Sequence, residues 1–247
     1  SEARGKAHVH VVIIGFGHGD ANGRTLYSYH GDAVTATKAR NISPYLVEGP
    51  NAVIVNRSKP LCDVPEIGIG NKPIDDGNYL FTPEEKAEFL RLEPAAKPFF
   101  RPWTGADEFI NGYTRWCLWL GDCPPEQLRR MPLAMERVQA VRAFRLASKS
   151  KPTNLLAQTP TRFHVENMPK GKFLVIPGVS SERRRYIPMG FLTPRYLASN
   201  LLNVVPKATL FDFGVLTSFM HMSWMRHVAG RLESRYRYSA KLVYNNF

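Results

Sequence analysis

The run His8-Val9-His10-Val11-Val12-Ile13-Ile14-Gly15-Phe16 is apolar, β-branched and closed by glycines, which predicts a buried strand. A sheet-centre strand this early has no preceding element to pair with, so the pattern predicts a piece of a longer chain. Gly17 to His30 is rich in Gly, Asn and Asp and predicts a loop or hairpin tip. Asn51-Ala-Val-Ile-Val-Asn56 predicts a second strand, and Pro50, Pro60 and Pro65 mark a linker that puts a boundary near residue 60, dividing 1–60 from 61–247.

Further along, Thr82-Pro83-Glu84-Glu85 predicts a helix start, with a Thr N-cap, Pro at the first helical position and Glu at the third. Ala87, Phe89 and Leu90 give that helix a buried stripe and Pro94 stops it. Pro98 to Asn111 reads as loop, and Tyr113 to Leu120 as a strand. Pro124-Pro125-Glu126 opens a helical region that Pro132 divides. Leu133 to Ala147 continues as a long helix with Leu133, Val138, Val141 and Phe144 or Leu146 inward, and Arg137, Arg142 and Arg145 on or beside the other face. Lys149 to Thr153 is a polar exit. Strands are predicted over Phe173 to Ile176, Arg185 to Leu192 and Ala208 to Phe213, with a short helix over Pro194 to Val205. Gly214 to Leu232 predicts a longer helix with Leu216, Phe219, Met220, Trp224 and Val228 inward, and Glu233 to Asn246 returns to strand. The fold class is α+β.

Composition narrows the partner. The 247 residues are 44% hydrophobic and 22% charged, enough for a sizeable core, and no run of about 18 apolar residues could span a membrane. No secretory leader is read at the amino terminus, and three cysteines make no disulfide framework or zinc ribbon, so a reducing cytoplasm is expected. Residues 1–120 hold 13 Lys and Arg against 14 Asp and Glu, whereas 121–247 hold 20 against 7, so the whole net charge of +12 comes from −1 and +13. Arg outnumbers Lys there by 14 to 6, and the guanidinium fork matches phosphate and the guanine edge in pairs of hydrogen bonds. A polyanion is the expected partner.

Catalytic and metal signatures are thin. Gly15-Phe16-Gly17-His18-Gly19 follows a strand, yet no helical period follows it to bring an N-terminus to a phosphate, so a hairpin tip is the better reading. Seven histidines form no pair with metal spacing, and there is no serine elbow or cysteine signature. Two clusters remain. Ser180-Ser181-Glu182-Arg183-Arg184-Arg185-Tyr186-Ile187-Pro188 offers phosphate donors or a solvated turn. In Gly230-Arg231-Leu232-Glu233-Ser234-Arg235-Tyr236-Arg237-Tyr238-Ser239, an extended backbone would put Glu233, Arg235 and Arg237 on one face and Tyr236 and Tyr238 on the other. Such a face either reads bases, Arg through guanine and Glu through the cytosine amine, or simply faces water.

Taken in order, the motifs resemble the MmeI-like family of bacterial proteins, which join a class I S-adenosylmethionine-dependent DNA adenine methyltransferase to a restriction nuclease. The segments that carry the resemblance span nearly the whole chain: His10-Val-Val-Ile-Ile-Gly-Phe16, Ser43-Pro-Tyr-Leu46, Gly70-Asn-Lys-Pro73, Glu108-Phe-Ile-Asn-Gly112, Cys117-Leu-Trp119, Arg137-Val-Gln-Ala-Val-Arg142, Val179-Ser-Ser-Glu-Arg-Arg184, Phe213-Gly-Val-Leu-Thr-Ser218, His221-Met-Ser-Trp224 and Tyr236-Arg-Tyr-Ser239 with Val243-Tyr-Asn-Asn-Phe247.

The resemblance implies that residues 1–60 are a remnant of the methyltransferase sheet with its connecting segment, and that 61–247 are the target recognition domain. It implies double-stranded DNA and the remaining domains of the parent chain as partners. S-adenosylmethionine belongs to the parent and no cofactor to this chain, because the family's cofactor loop and its Asn-Pro-Pro-aromatic tetrapeptide are not seen here, nor is a nuclease motif. It makes Glu233, Arg235 and Arg237 the base-reading face. Lys151, Arg162, Ser181, Arg183, Arg184, Arg185, Arg226, Arg231 and Lys241 are the expected backbone contacts. The competing readings are a non-specific nucleic-acid adaptor and a chain catalytic by itself.

Overall fold

The computed structural model describes residues 12–19 and 23–247. Of the first predicted strand, residues 8–11 lie outside the described residues, and Val12 to Gly17 form no strand; Val12, Ile13, Ile14 and Phe16 are exposed. The first paired strands are β1 (Arg24–His30) and β2 (Ala33–Ala39), an antiparallel hairpin turning at Gly31 and Asp32. The expected loop over Gly17 to His30 is thus half strand. Asn51 to Asn56 is not a strand: its backbone is held by side chains, with Tyr45 Oη accepting from the Ile54 N–H at 2.7 Å and Asn246 Nδ2 donating to the Val55 carbonyl at 3.1 Å.

The next half builds an aromatic core. Strand β3 (Gly68–Ile69) and β4 (Leu80–Phe81) precede α1 (Pro83–Leu92), whose capping box is formed as the sequence predicts: Thr82 Oγ1 accepts from Glu85 N and the Glu85 carboxylate accepts from Thr82 N. The segment expected to be loop contains β5 (Phe100–Thr104) and α2 (Ala106–Asn111). Pro102 makes β5 look unlike a strand, yet β5 is interior to its sheet, antiparallel to β6 (Arg115–Leu118) and parallel to β10 (Leu197–Ala198). Helix α3 (Pro125–Arg129) leads to α4 (Pro132–Leu146), whose first N–H groups at Leu133 and Ala134 donate to the Glu93 carboxylate. Phe81, Phe89 and Phe100 meet edge-to-face within this core, at centroid separations of 5.1 to 5.7 Å. Helix α5 (Lys151–Leu155) occupies the predicted polar exit.

The last third wraps a sheet in the order β3-β11-β7-β9, from β7 (Phe173–Pro177), β9 (Gly190–Leu192) and β11 (Leu202–Pro206). Its alternation is direct: Phe173 and Val175 pack on the α2 side, while Leu174 and Ile176 pack on the opposite face against α7 (Phe219–Val228). The predicted helix over Pro194 to Val205 is instead β10, a turn and β11, because Leu202, Val204 and Val205 are buried on both sheet faces. The predicted strand over Ala208 to Phe213 is α6 (Leu210–Leu216), started by a second capping box between Thr209 and Asp212. Helix α7 starts five residues later than the expected Gly214, and Phe219 and Met220, expected inward, are exposed.

Strand β8 (Val179–Ser180) continues from β7 into a three-stranded sheet with β12 (Gly230–Leu232) and β13 (Arg235–Arg237). Beyond β13 the chain leaves the predicted strand for a π-helical turn over Ala240–Tyr244. That turn and the residues after it hold the segment before β3: Leu61 N donates to Asn245 O, and Tyr244 Oη donates to Pro65 O. Among the described residues no helix is long and apolar enough to cross a membrane.

Candidate nucleic-acid interface

The three-stranded sheet gathers most of the sequence-predicted site. Strand β13 pairs with β12 on one side, Arg235 opposite Leu232 and Arg237 opposite Gly230, and with β8 on the other. Strand alternation then acts as predicted: Tyr236 and Tyr238 are buried in the second core, while Arg235 and Arg237 are exposed. Glu233 departs from the prediction. It lies in the hairpin turn with φ of 58°, not on the strand, and its carboxylate meets Arg235 at 2.9 Å. Arg231 lies over the Tyr236 ring at 4.0 Å and donates to the Ser234 carbonyl.

The arginine loop leaves directly from β8. Residues 181–186 form a turn instead of the strand expected from Arg185 onward: Arg184 N donates to Ser181 O, and Arg183 N to Ser181 Oγ. Glu182 bridges loop and hairpin. Its carboxyl is held below the ordinary carboxylate range by a backbone N–H at its own residue, then by the Ser234 side chain, Arg183 and Arg231. Arg226, from α7, is half-buried and donates to the Arg185 carbonyl, and Arg185 lies over Tyr186. Among the described residues Arg184 and Arg237 have no side-chain hydrogen bond or ion pair. Residues 179–187 and 226–238 together carry seven Arg against two Glu, a formal +5.

The remaining predicted contacts lie elsewhere. Lys151 is exposed at the start of α5, and Arg162 is bound to Glu166, Asp122 and the Gly121 carbonyl beside Trp119, on the surface of the first core. Lys241 is exposed on the π-helical turn, with its carbonyl accepting from Arg57 N. A further neighbour, the turn before β11, carries no signal in the residue pattern: Gly178 N donates to the Leu201 carbonyl, Gly178 O accepts from Tyr238 N, and Leu201 is exposed. The groove of about 490 Å³ between α1 and α4 is mainly acidic and apolar, with Glu84, Glu85, Glu88 and Glu136 against a single Arg137.

The Gly15 to Gly19 segment does not make a cofactor cradle. Val12 to Gly17 form no strand, a Cβ added at Gly15 or Gly17 would meet nothing within 4 Å, and the first regular element to follow is the β1–β2 hairpin. This segment therefore does not fit S-adenosylmethionine, having no helix N-terminus to meet its charged end. Among the described residues there is also no group of three or more potential metal ligands.

Fold and site together define a mixed α+β module that presents guanidinium groups from the outer face of a small, aromatic-backed sheet. The family model described as MmeI, target recognition domain, matches residues 48–247, and the chain belongs to that family. It is 41% identical over all 247 residues to DNA methyltransferase A of Bacillus subtilis (strain 168), of which it covers 28%. It is also similar to a solved structure of the Type IIL restriction-modification enzyme MmeI in complex with DNA, with a TM-score of 0.90 and 45% identity, covering 92% of this chain and 31% of that one. The chain thus spans less than a third of the length of these relatives.

Proposed function

We propose that this chain is the DNA-reading part of a longer S-adenosylmethionine-dependent DNA adenine methyltransferase of a restriction-modification system. The observation that carries this reading is the cationic sheet: Arg235 and Arg237 face outward over buried tyrosines, next to a loop with three consecutive arginines. Arg235 and Arg237 address guanine O6 and N7, and Glu233 accepts from the cytosine amine, each good pair contributing about 1–3 kcal/mol of discrimination. The Glu233–Arg235 pair holds both groups in place before DNA arrives. Ser181, Arg183, Arg184 and Arg185, with Arg226 and Arg231 bracing them, take the phosphates; Lys151, Arg162 and Lys241 are outlying contacts.

Residues 1–60 carry the edge of the methyltransferase sheet and the segment that connects it to the recognition domain, the family match beginning within that segment at residue 48. The methyl group comes from S-adenosylmethionine bound by that other part of the parent, to an adenine flipped out of the stack. Here the chain's own residues only orient the duplex.

Duplex affinity measured against salt tests this directly. A log–log plot should be steep, with a slope of about −0.9 for each phosphate neutralised. Arg184→Ala should weaken all duplexes alike and reduce that slope by about 1, whereas Arg235→Ala should change which sequence is preferred. A flat salt response refutes the reading, and equal affinity for selected and random duplexes favours a non-specific adaptor.

A further inference from the structure

Helix α7 touches both arginine-bearing elements. It is started by Ser218, whose Oγ accepts from His221 N at 3.1 Å. Toward the loop, Arg226 donates to the Arg185 carbonyl and the Met222 sulfur accepts from Ile187 N. Toward the hairpin, His221 Nε2 lies 3.0 Å from Tyr238 Oη, one residue beyond Arg237. Both side chains are buried, and the His221 ring meets Phe247 edge-on at 4.4 Å. Burial pushes the His221 pKa down to about 4 and that of Tyr238 up, so both are neutral near pH 7 and the bond is between uncharged partners.

Packing alone does not account for this histidine. Its Nδ1 is buried without a hydrogen-bond partner, a destabilising arrangement that an aliphatic side chain of similar volume would avoid. What histidine adds is a fixed point. The sheet β8-β13-β12 consists of strands of two or three residues, seated on the core by the continuation from β7, by the Tyr236 and Tyr238 rings and, as its side-chain hydrogen bond to α7, by the His221–Tyr238 contact.

The geometry points to His221 as a positioning residue for base reading: its bond to Tyr238 Oη sets the height and tilt of β13, so that Arg235 and Arg237 meet a base-pair edge with both guanidinium donors aligned. This rests on the DNA-reading function proposed above. Two-point hydrogen bonding is sensitive to small displacements, whereas attraction to phosphates is long-ranged and tolerant, so His221 acts on sequence preference and not on overall affinity.

The test compares the native chain with Tyr238→Phe, His221→Leu and the double variant. Its probes are labelled duplexes: one that the native chain enriches from a random-sequence pool, single-base alterations of it, and a random duplex. Tyr238→Phe and His221→Leu should each lower the ratio of enriched to altered binding about tenfold. Random-duplex affinity should stay within about twofold of native.

Thermal unfolding separates positioning from packing. Each single variant strands a buried polar group and lowers the Tm, while the double variant, with both partners apolar, regains most of it. The sequence ratio of the double variant should stay low. A native ratio in Tyr238→Phe overturns the inference, as does a ratio that recovers with the Tm or a loss shared equally by random duplex. Enrichment of no sequence by the native chain overturns the DNA-reading function itself, and this inference with it.

Discussion

A guanidinium can enter a protein interior when each of its five N–H donors finds an acceptor. Arg145 meets that condition on α4. Its side chain is 0% exposed, and Nε, Nη1 and Nη2 donate to the carbonyls of Ile74, Leu156, Thr159, Pro73 and Arg162 at 2.8 to 3.1 Å. One residue thus ties the turn before β4 to the connection that follows α5. Arg145→Ala leaves five carbonyls without that donor and should cost about 3 kcal/mol of stability in urea unfolding. Arg145→Lys, with three donors on a point charge, should recover no more than part of it. A loss below about 1 kcal/mol in the alanine variant would mean that water replaces the arginine. The sequence expectation put Arg145 beside the outward Arg137 and Arg142, and Phe144 or Leu146 inward; the structure buries Ala134, Val138, Val141 and Arg145 and exposes Phe144 and Leu146. The spacing of 134, 138, 141 and 145 is a regular inward stripe. It was hidden because a charged residue closes it.

At the scale of elements, the hairpin carries both a backbone constraint and the proposed reading groups. Glu233 holds φ of 58°, a left-handed conformation that costs a side-chain-bearing residue about 1 kcal/mol. Glu233→Gly relieves that cost while giving up chain entropy and the exposed pair with Arg235, so its Tm should fall within about 2 °C of native. Glu233→Ala keeps the strain and should be the less stable of the two. Both should lose discrimination at the same base pair by about tenfold, because both delete the acceptor for cytosine. Unchanged base preference in both variants would remove Glu233 from the reading face.

The same hairpin shows what local pattern can and cannot convey. Alternation along 235–238 was legible because each side chain's class matched its face, but the turn at Glu233 was not, since neither Glu nor Ser marks a left-handed position. The capping box at Thr82 was legible, while the equivalent one at Thr209 was masked by the strand-like alternation Leu210-Phe211-Asp212-Phe213. Pro102 concealed β5 for a similar reason, as a missing donor argues against an interior strand.

Across the whole molecule the two halves differ in charge but not in independence. Residues 1–120 contribute −1 and residues 121–247 contribute +13, but part of that excess sits on α3, α4 and α5 against the first core, and another part builds the arginine sheet. Yet strands cross between the halves in both directions: β10 pairs with β5 in the first sheet, and β3 pairs with β11 in the second. The Gly70-Asn71 segment locks that exchange. A Cβ on Gly70 would sit 2.2 Å from the Ser199 carbonyl oxygen, and Asn71 Nδ2 donates to the carbonyls of Ala198 and Asn167 while its Oδ1 accepts from Asn167 N. A fragment of residues 61–170 would therefore expose the β5 edge where Leu197 and Ala198 belong and leave Asn71 without its Ala198 partner. Such a fragment should give poorly dispersed amide NMR spectra and no cooperative thermal transition, and adding residues 171–247 as a separate chain should restore both. A sharp unfolding transition in the fragment alone would show that the aromatic core stands by itself, and that the cationic sheet is mounted on a finished platform instead of being folded together with it.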